Sequence, residues 1–193
     1  MPAPNTGTDT MKVHEIMRHP DEHARFAAYL TALEHVTGPD EPEAVGHVLS
    51  DPDRPMAESA VLRHLDRRAD GLLPGDAYDD WTEAMTRAVA DRPFLTRRLR
   101  EWSLFRAITL GQSWRPDDLL TSSNWLQLRT AGGTNAEALG ILTEGGRTRR
   151  IRSTARAALN RLGGQRNRPA GPPSPSPSAT PARVTDPTTP PHP

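Results

Sequence analysis

The spacing of apolar residues predicts helices along most of the chain. Phe26, Leu30 and Leu33 recur at intervals of three or four residues, and similar stripes continue to about residue 162. Strand-like alternation of apolar and polar residues is absent, and β-branched residues are scarce. The pattern therefore predicts an all-α fold.

Prolines and glycines divide this pattern into eight predicted helices. The motif of proline followed by acidic residues opens a helix at His19-Pro20-Asp21-Glu22, and it recurs at Pro116-Asp117-Asp118. Successive helical pairs start near residues 21, 55, 93 and 134, which are 34 to 41 residues apart. This period is typical of HEAT-like arrays, and short turns favour antiparallel pairs. Two architectures stay open: a short HEAT-like array and an irregular bundle.

The fifth predicted helix, which begins at Arg92-Pro93, is expected to be the longest and to lie at the centre of the core. Its apolar residues are predicted to form one widened stripe: Leu95, Leu99, Trp102, Leu104, Phe105 and Ile108.

Two further helices are predicted over 134–145 and 147–162. Thr134 and Glu137 have the spacing of a capping box for the first of them. Gly145-Gly146 is predicted to end it in a left-handed conformation, and Gly163-Gly164 is predicted to end the second. The two helices resemble a HEAT-like pair joined by a tight turn.

The domain boundaries follow from composition. Residues 1–11 lack periodicity and are predicted to be a disordered arm, whereas 12–162 form the helical domain. Residues 163–193 contain ten prolines in 31 positions, with no apolar periodicity. They are therefore predicted to be a disordered Pro-rich C-terminal tail, in which polyproline II structure could serve a partner or a spacer.

The last predicted helix carries the candidate site. A helical wheel places an apolar stripe on one side, formed by Ile151, Ala155, Ala158, Leu159 and Leu162. Arginines occupy both flanks: Arg149, Arg152 and Arg156 on one, and Arg147, Arg150 and Arg161 on the other. Guanidinium groups bind carboxylates and phosphates with two parallel hydrogen bonds. These six arginines are either a solvated face or a site for a polyanion or another partner.

The segment LLTSSNWLQLRTAGGTNAEALGIL at 119–142 resembles a LuxR/GerE-type helix-turn-helix. The matching positions are Leu120, Thr121, Leu126, Leu128 and Thr134 to Glu137. The resemblance ends at about residue 148, because Arg149 and Ser153 stand where that family has buried aliphatic residues. It implies DNA binding through the helix over 147–162. The chain is also similar in style to actinobacterial all-helical proteins, a likeness that implies no activity.

Charge and composition exclude several functions. The chain has no cysteine, which excludes disulfides and thiolate metal sites. Its net charge of zero combines a first part, 1–92, with 18 acidic and 9 basic residues, and a second part, 93–193, with 6 and 15. The two parts could attract each other, within the fold or between copies, or each could attract a partner of opposite charge. No apolar run approaches 18 residues, so no membrane span is expected and the cytoplasm is the expected location.

Candidate catalytic and metal-binding groups have simpler explanations. Among His14, His19 and His23, two histidines four residues apart could share a metal ion, but His19 lies at the start of the predicted helix and no third ligand is apparent. The pairs Asp79-Asp80 and Asp117-Asp118 lie in first turns, where carboxylates stabilise helix N-termini. The four tryptophans are predicted to be core residues, and Trp114 and Trp125 are the two nearest the basic end. We expect a non-enzymatic interaction or regulatory module without a cofactor that binds a protein partner; the alternative is a DNA-binding regulator.

Overall fold

A computed structural model describes residues 21–166, with the backbone alone for residues 165 and 166. Every regular element in this range is helical: besides one 3₁₀ turn at Gly38–Asp40 there are nine α-helices, and there is no strand. The predicted arm over 1–11, residues 12–20 of the predicted domain, and 167–193 of the predicted tail lie outside the described residues. In chain order the helices are α1 (Glu22–His35), α2 (Glu41–Leu49), α3 (Arg54–Leu72), α4 (Ala77–Ala88), α5 (Pro93–Leu110), α6 (Pro116–Thr121), α7 (Asn124–Ala131), α8 (Ala136–Gly145) and α9 (Arg149–Arg166).

Buried apolar residues form two clusters. The first cluster surrounds α3, which packs against α1, α2, α4 and α5. Its largest fully buried side chains are Tyr29, Leu33, Leu65, Tyr78, Met85, Leu95, Leu99 and Trp102. The second cluster joins the end of α5 to α6–α9, and its members include Ile108, Leu119, Leu139, Leu142, Ile151, Ala155 and Ala158.

Helix α5 joins the two clusters. Leu95, Leu99 and Trp102 lie in the first cluster, whereas Ile108 lies in the second and Leu104 packs against it. The helix is therefore central, as predicted, but its apolar residues form two contact surfaces and not one widened stripe. It is also not the longest helix, because α5 has 18 residues and α3 has 19.

The sixth predicted helix is divided into α6 and α7, which is why there are nine helices and not eight. The chain is extended at Ser122 and Ser123, where the predicted helix would have continued. The Ser123 side chain caps α7 by accepting a hydrogen bond from the Leu126 N–H at 3.3 Å. The buried carboxylate of Glu101 in α5 accepts from both the backbone N–H and the hydroxyl of Ser123, each at 2.8 Å. This contact stabilises the break, since Glu101 accepts the Ser123 N–H that the break releases from helical hydrogen bonding.

Several predicted helix ends also differ. α1 begins at Glu22 with Asp21 as its N-cap, so Pro20 is not its first helical residue. α8 is capped by Asn135, whose side chain accepts from the Ala138 N–H at 3.0 Å, and not by Thr134. α9 continues through Gly163-Gly164 to Arg166. None of the helices within 21–166 combines the length and apolarity needed to cross a membrane.

Candidate partner-binding surface

The helical hairpin of α8 and α9 presents the predicted arginines. The two helices are joined by only three residues, 146–148, and they pack against each other, so the chain must reverse its direction. The Thr148 hydroxyl caps the start of α9 by accepting a hydrogen bond from the Ile151 N–H at 3.2 Å. At the other end of the hairpin, the Asn135 side chain donates to the Ile108 carbonyl at 2.8 Å. This bond ties the start of α8 to α5.

Gly146 in the turn before α9 needs to be glycine for space and not for a left-handed backbone. Gly146 has φ −58° and ψ 135°, a conformation open to any residue, so the predicted left-handed stop is wrong. A Cβ atom at Gly146 would lie 2.5 Å from the Leu142 carbonyl oxygen and 2.8 Å from Ile151 Cγ2. One at Gly145 would lie 2.8 Å from Leu120 Cδ2. The absence of side chains lets the start of α9 approach α8 closely.

A buried glutamine fixes the position of this turn. Gln127 is fully buried in α7, and its amide nitrogen donates to the carbonyls of Leu119 at 3.1 Å and Leu120 at 2.8 Å. Its amide oxygen accepts from the Arg147 N–H at 2.9 Å. One side chain thus links the end of α6, α7 and the turn before α9. Sequence reasoning missed this residue, because its partners lie up to 20 positions away.

The inward side of α9 follows the predicted apolar stripe. Ile151, Ala155 and Ala158 are buried in the second cluster, and Leu159 and Leu162 pack against it while partly exposed. Burial of this stripe fixes the rotation of α9 about its own axis. It therefore determines which arginines face solvent.

The structure separates the six predicted arginines into two groups. Arg147 donates to the Thr121 carbonyl at 3.3 Å, and the half-buried Arg152 donates to the Gly146 carbonyl at 2.6 Å. These two side chains turn back onto their own chain. The other four are exposed, and within 21–166 their guanidinium groups have neither an ion pair nor a hydrogen bond: Arg149, Arg150, Arg156 and Arg161. We call these four residues the arginine face.

The arginine face consists of two rows. At about 100° per residue, Arg149 and Arg156 lie on one side of the exposed surface of α9, and Arg150 and Arg161 lie roughly 120° away. The surface between the rows is neutral and exposed, formed by Ser153, Ala157 and Asn160. Arg149 and Arg156 are separated by about 10 Å along the helix axis, at 1.5 Å per residue. A partner could approach the neutral strip while meeting positive charge on both sides.

The arginines of α9 reduce the stability of the fold through their electrostatic interactions. Arg149 and Arg150 occupy the first turn, which has no acidic residue. The helix dipole makes this end positive, so a cation there is unfavourable by about 0.3–1 kcal/mol. Residues 122–166 contain eight arginines but only Glu137 and Glu144 as acids. The same features that oppose folding strengthen the attraction for an anion.

Several arginines outside α9 form ion pairs across the fold. Three ion pairs connect the acidic first part of the sequence with the basic second part: Arg98 with Asp66 at 3.3 Å, Arg106 with Asp79 at 3.1 Å, and Arg129 with Asp70. The opposite charges of the two parts thus attract within the fold.

Trp125, one of the two tryptophans nearest the basic end, is also covered by an internal arginine. The Arg98 guanidinium lies 3.8 Å from the centroid of its ring. Trp102 packs against another side of the ring, with the centroids 5.2 Å apart. Trp114 is partly buried against the second cluster.

A second polar site lies at Glu41, beside a cleft among the helices of the first cluster. The Glu41 side chain is about 1% exposed and accepts from His64 Nε2 at 2.8 Å and Trp81 Nε1 at 2.7 Å. Arg68 donates to both carboxylate oxygens, at 3.0 and 3.1 Å. Burial alone would raise the pKa of Glu41, but the hydrogen bonds from His64, Arg68 and Trp81 outweigh it, so this pKa lies below its usual range.

Neither the arrangement of metal-binding side chains within 21–166 nor comparison with known proteins indicates a further function. Within 21–166 no group of three His, Asp or Glu side chains is arranged to hold a metal ion, and His14 and His19 lie outside this range. Asp79-Asp80 and Asp117-Asp118 do lie in the first turns of α4 and α6. No family model, curated protein or solved structure matches the chain.

Proposed function

We propose that this protein is a non-enzymatic interaction module whose arginine face binds an acidic surface of a partner protein. The observation that carries the proposal is the set of four exposed guanidinium groups on α9 that have no carboxylate among the described residues. Arg54, Arg63, Arg100 and Arg115 are also exposed and without an ion pair within 21–166, but they are spread over α3, α5 and the residue before α6. The arginine face differs because it gathers four such residues on one helix. Carboxylates from a partner would supply the missing bidentate bonds.

The anchoring of α9 supports a recognition role. The Gln127 bonds, the Gly145-Gly146 turn and the buried apolar stripe hold the helix at several positions. A rigid scaffold lowers the entropy lost when a partner binds. The short side chains of Ser153, Ala157 and Asn160 allow a partner surface to approach the helix backbone between the arginine rows.

A DNA-binding regulator is the second candidate, and the arrangement of α7, α8 and α9 favours it. These helices follow one another through short turns, and α9 packs against both of the others. A helix-turn-helix presents its second helix to the major groove in a similar order. The arginine rows would contact phosphates, and Ser153 and Asn160 would face the base edges. The LuxR/GerE-type resemblance stays a prediction.

Fluorescence anisotropy with two anionic probes tests the proposal. Labelled poly-L-glutamate represents an acidic protein surface, and a labelled duplex DNA of about 20 base pairs represents the alternative, each at about 50 and 200 mM salt. The test variant carries Arg149→Gln, Arg150→Gln, Arg156→Gln and Arg161→Gln. The matched control carries Arg54→Gln, Arg63→Gln, Arg100→Gln and Arg115→Gln, because these four arginines are also exposed and without an ion pair within 21–166.

The two variants have the same net charge, so they separate a local site from general attraction. We expect poly-L-glutamate to bind the wild type and the control, and the test variant to bind at least about tenfold more weakly. Equal losses in both variants would refute the arginine face as a site. Tighter binding of duplex DNA, lost in the test variant alone, would replace the protein partner with nucleic acid. No binding of either probe would refute both candidates.

A further inference from the structure

A small cleft opens beside the Glu41 network, distant in sequence from the arginine face. It lies between Gly38, the start of α2 at Pro42, the end of α3 and one side of α4, and its volume is about 270 Å³. This is near the lower end of the roughly 300–1,000 Å³ found for small-molecule sites. The cleft is therefore large enough for a compact ligand of one ring or a short branched chain.

The inner surface of the cleft is apolar. Trp81 and Met85 are buried and form its floor, while Pro42, Leu72 and Ala84 are partly buried and form its walls. A ligand must accordingly have an apolar body, because a fully polar molecule would lose hydration there without gaining hydrogen bonds.

The charged residues of the cleft determine whether it favours a positively or a negatively charged ligand. Arg68 lines the wall, but its guanidinium is already bound by both oxygens of Glu41. Asp80 lines the rim, is exposed, and has no ion-pair partner among the described residues. The available charge at the cleft is thus negative. A cation would gain from Asp80 without opposing an unpaired arginine.

The floor and wall of the cleft are fixed in advance. The buried Glu41 carboxylate holds the Trp81 indole by its N–H and holds Arg68 by two bonds. These side chains would therefore keep their positions when a ligand enters, which reduces the entropy lost on binding.

We propose that this cleft binds a small organic cation, namely a primary amine or guanidine on a compact apolar body. The apolar part lies on Trp81 and Met85, and the cationic group pairs with Asp80 at the rim. This site is independent of the arginine face and of the charge of its partner.

Titration of the full chain with 2-phenylethylamine tests this site. Two-dimensional ¹H–¹⁵N NMR follows the Trp81 indole N–H, and 3-phenylpropionate serves as a probe of similar size and opposite charge. Asp80→Asn removes the charge at the rim and preserves its shape. Asp117→Asn is the matched control, because Asp117 also lies exposed in the first turn of a helix and lacks an ion pair within 21–166. Ala84→Leu fills the cleft with a good helix former.

We expect saturable binding of the amine, with a Kd up to about 1 mM, and little binding of the carboxylate. Asp80→Asn and Ala84→Leu should each weaken binding at least about fivefold, whereas Asp117→Asn should leave it unchanged. The proposal fails if the amine does not saturate by about 20 mM, if the carboxylate binds equally well, or if Asp80→Asn and Asp117→Asn have the same effect. Each variant is used only after its amide spectrum shows the native fold.

Discussion

The two regions of this protein use arginine in opposite ways. Around the first cluster, the buried and half-buried arginines bind carboxylates, carbonyls or aromatic rings of other elements: Arg68 binds Glu41, Arg98 covers Trp125, and Arg106 donates to Leu73 and Gly75 carbonyls. Around the second cluster, caps, Gln127 and the glycine turn position the helices, and the arginine face of α9 meets solvent.

This difference shows that an arginine's role depends on its neighbours across the fold. A carboxylate on an adjacent helix makes it a structural residue, whereas its absence leaves an exposed charge that is free to bind a partner. The first region should therefore lose stability when its charges are removed. The second should lose binding.

The largest expected effect is the loss of the Glu41 carboxylate. Glu41→Ala leaves the buried donors of His64, Arg68 and Trp81 without their acceptor, which should lower the free energy of unfolding by about 3–5 kcal/mol. Urea denaturation measures it. Glu83→Ala is the control, since Glu83 pairs with Arg87 at 3.0 Å on the exposed surface. It should lower the free energy of unfolding by less than about 0.5 kcal/mol. Similar decreases in unfolding free energy in the two variants would show that the Glu41 network does not stabilise the fold.

The glycine turn before α9 should show the next largest effect. Gly146→Ala brings a Cβ against Leu142 and Ile151 and should destabilise the fold by about 1–3 kcal/mol. Gly140→Ala in α8 is the matched control, because its Cβ meets no atom within 4 Å. In the helix interior that change should stabilise the protein by about 0.5–1 kcal/mol. Two changes of the same sign would show that the close approach at Gly146 is unimportant.

Single arginine substitutions sharpen the comparison between the regions. Arg98→Met removes the Asp66 pair and the contact with Trp125, so it should lower the unfolding free energy by about 1–2 kcal/mol. Arg149→Met should raise it by about 0.3–1 kcal/mol, because the side chain is exposed, has no ion pair within 21–166 and lies at the positive end of the α9 dipole. The contrast disappears if both substitutions destabilise the fold equally in urea denaturation.

The pH dependence of stability provides a finer test of the Glu41 network. The folded state lowers the pKa of Glu41, so the carboxylate contributes stability above the unfolded pKa of about 4.3 and loses it as pH falls through the folded pKa. The advantage of the wild type over Glu41→Gln should be full at pH 7 and shrink below about pH 4. Urea denaturation across this range measures the gap. A gap that stays constant would contradict the lowered pKa.

The helices could be predicted from sequence because their signals are local. Apolar residues three or four apart determine the inward side of α9, and this stripe was predicted in full. The break between α6 and α7 was missed, since leucines continue at helical spacing on both sides of Ser122-Ser123. The contact that stabilises the break comes from Glu101, 22 positions before Ser123.

The candidate site could be predicted only in part. The wheel separated the arginines from the apolar stripe, but it could not show that Arg147 and Arg152 bind carbonyls of their own chain. It also could not distinguish the arginine face from Arg98, whose acidic partner lies 32 positions away. Such long-range pairs have no local pattern, and the Glu41 network was missed for the same reason.

Arginine side-chain NMR during a titration with poly-L-glutamate would locate the binding surface, because it reports each guanidinium separately. If the arginine face binds acidic surfaces, the Nε–H signals of Arg149, Arg150, Arg156 and Arg161 should shift saturably, and those of Arg98, Arg106 and Arg129 should stay in place. Shifts in the signals of Arg98, Arg106 and Arg129, or unchanged signals from all four residues of the arginine face, would contradict binding at the arginine face.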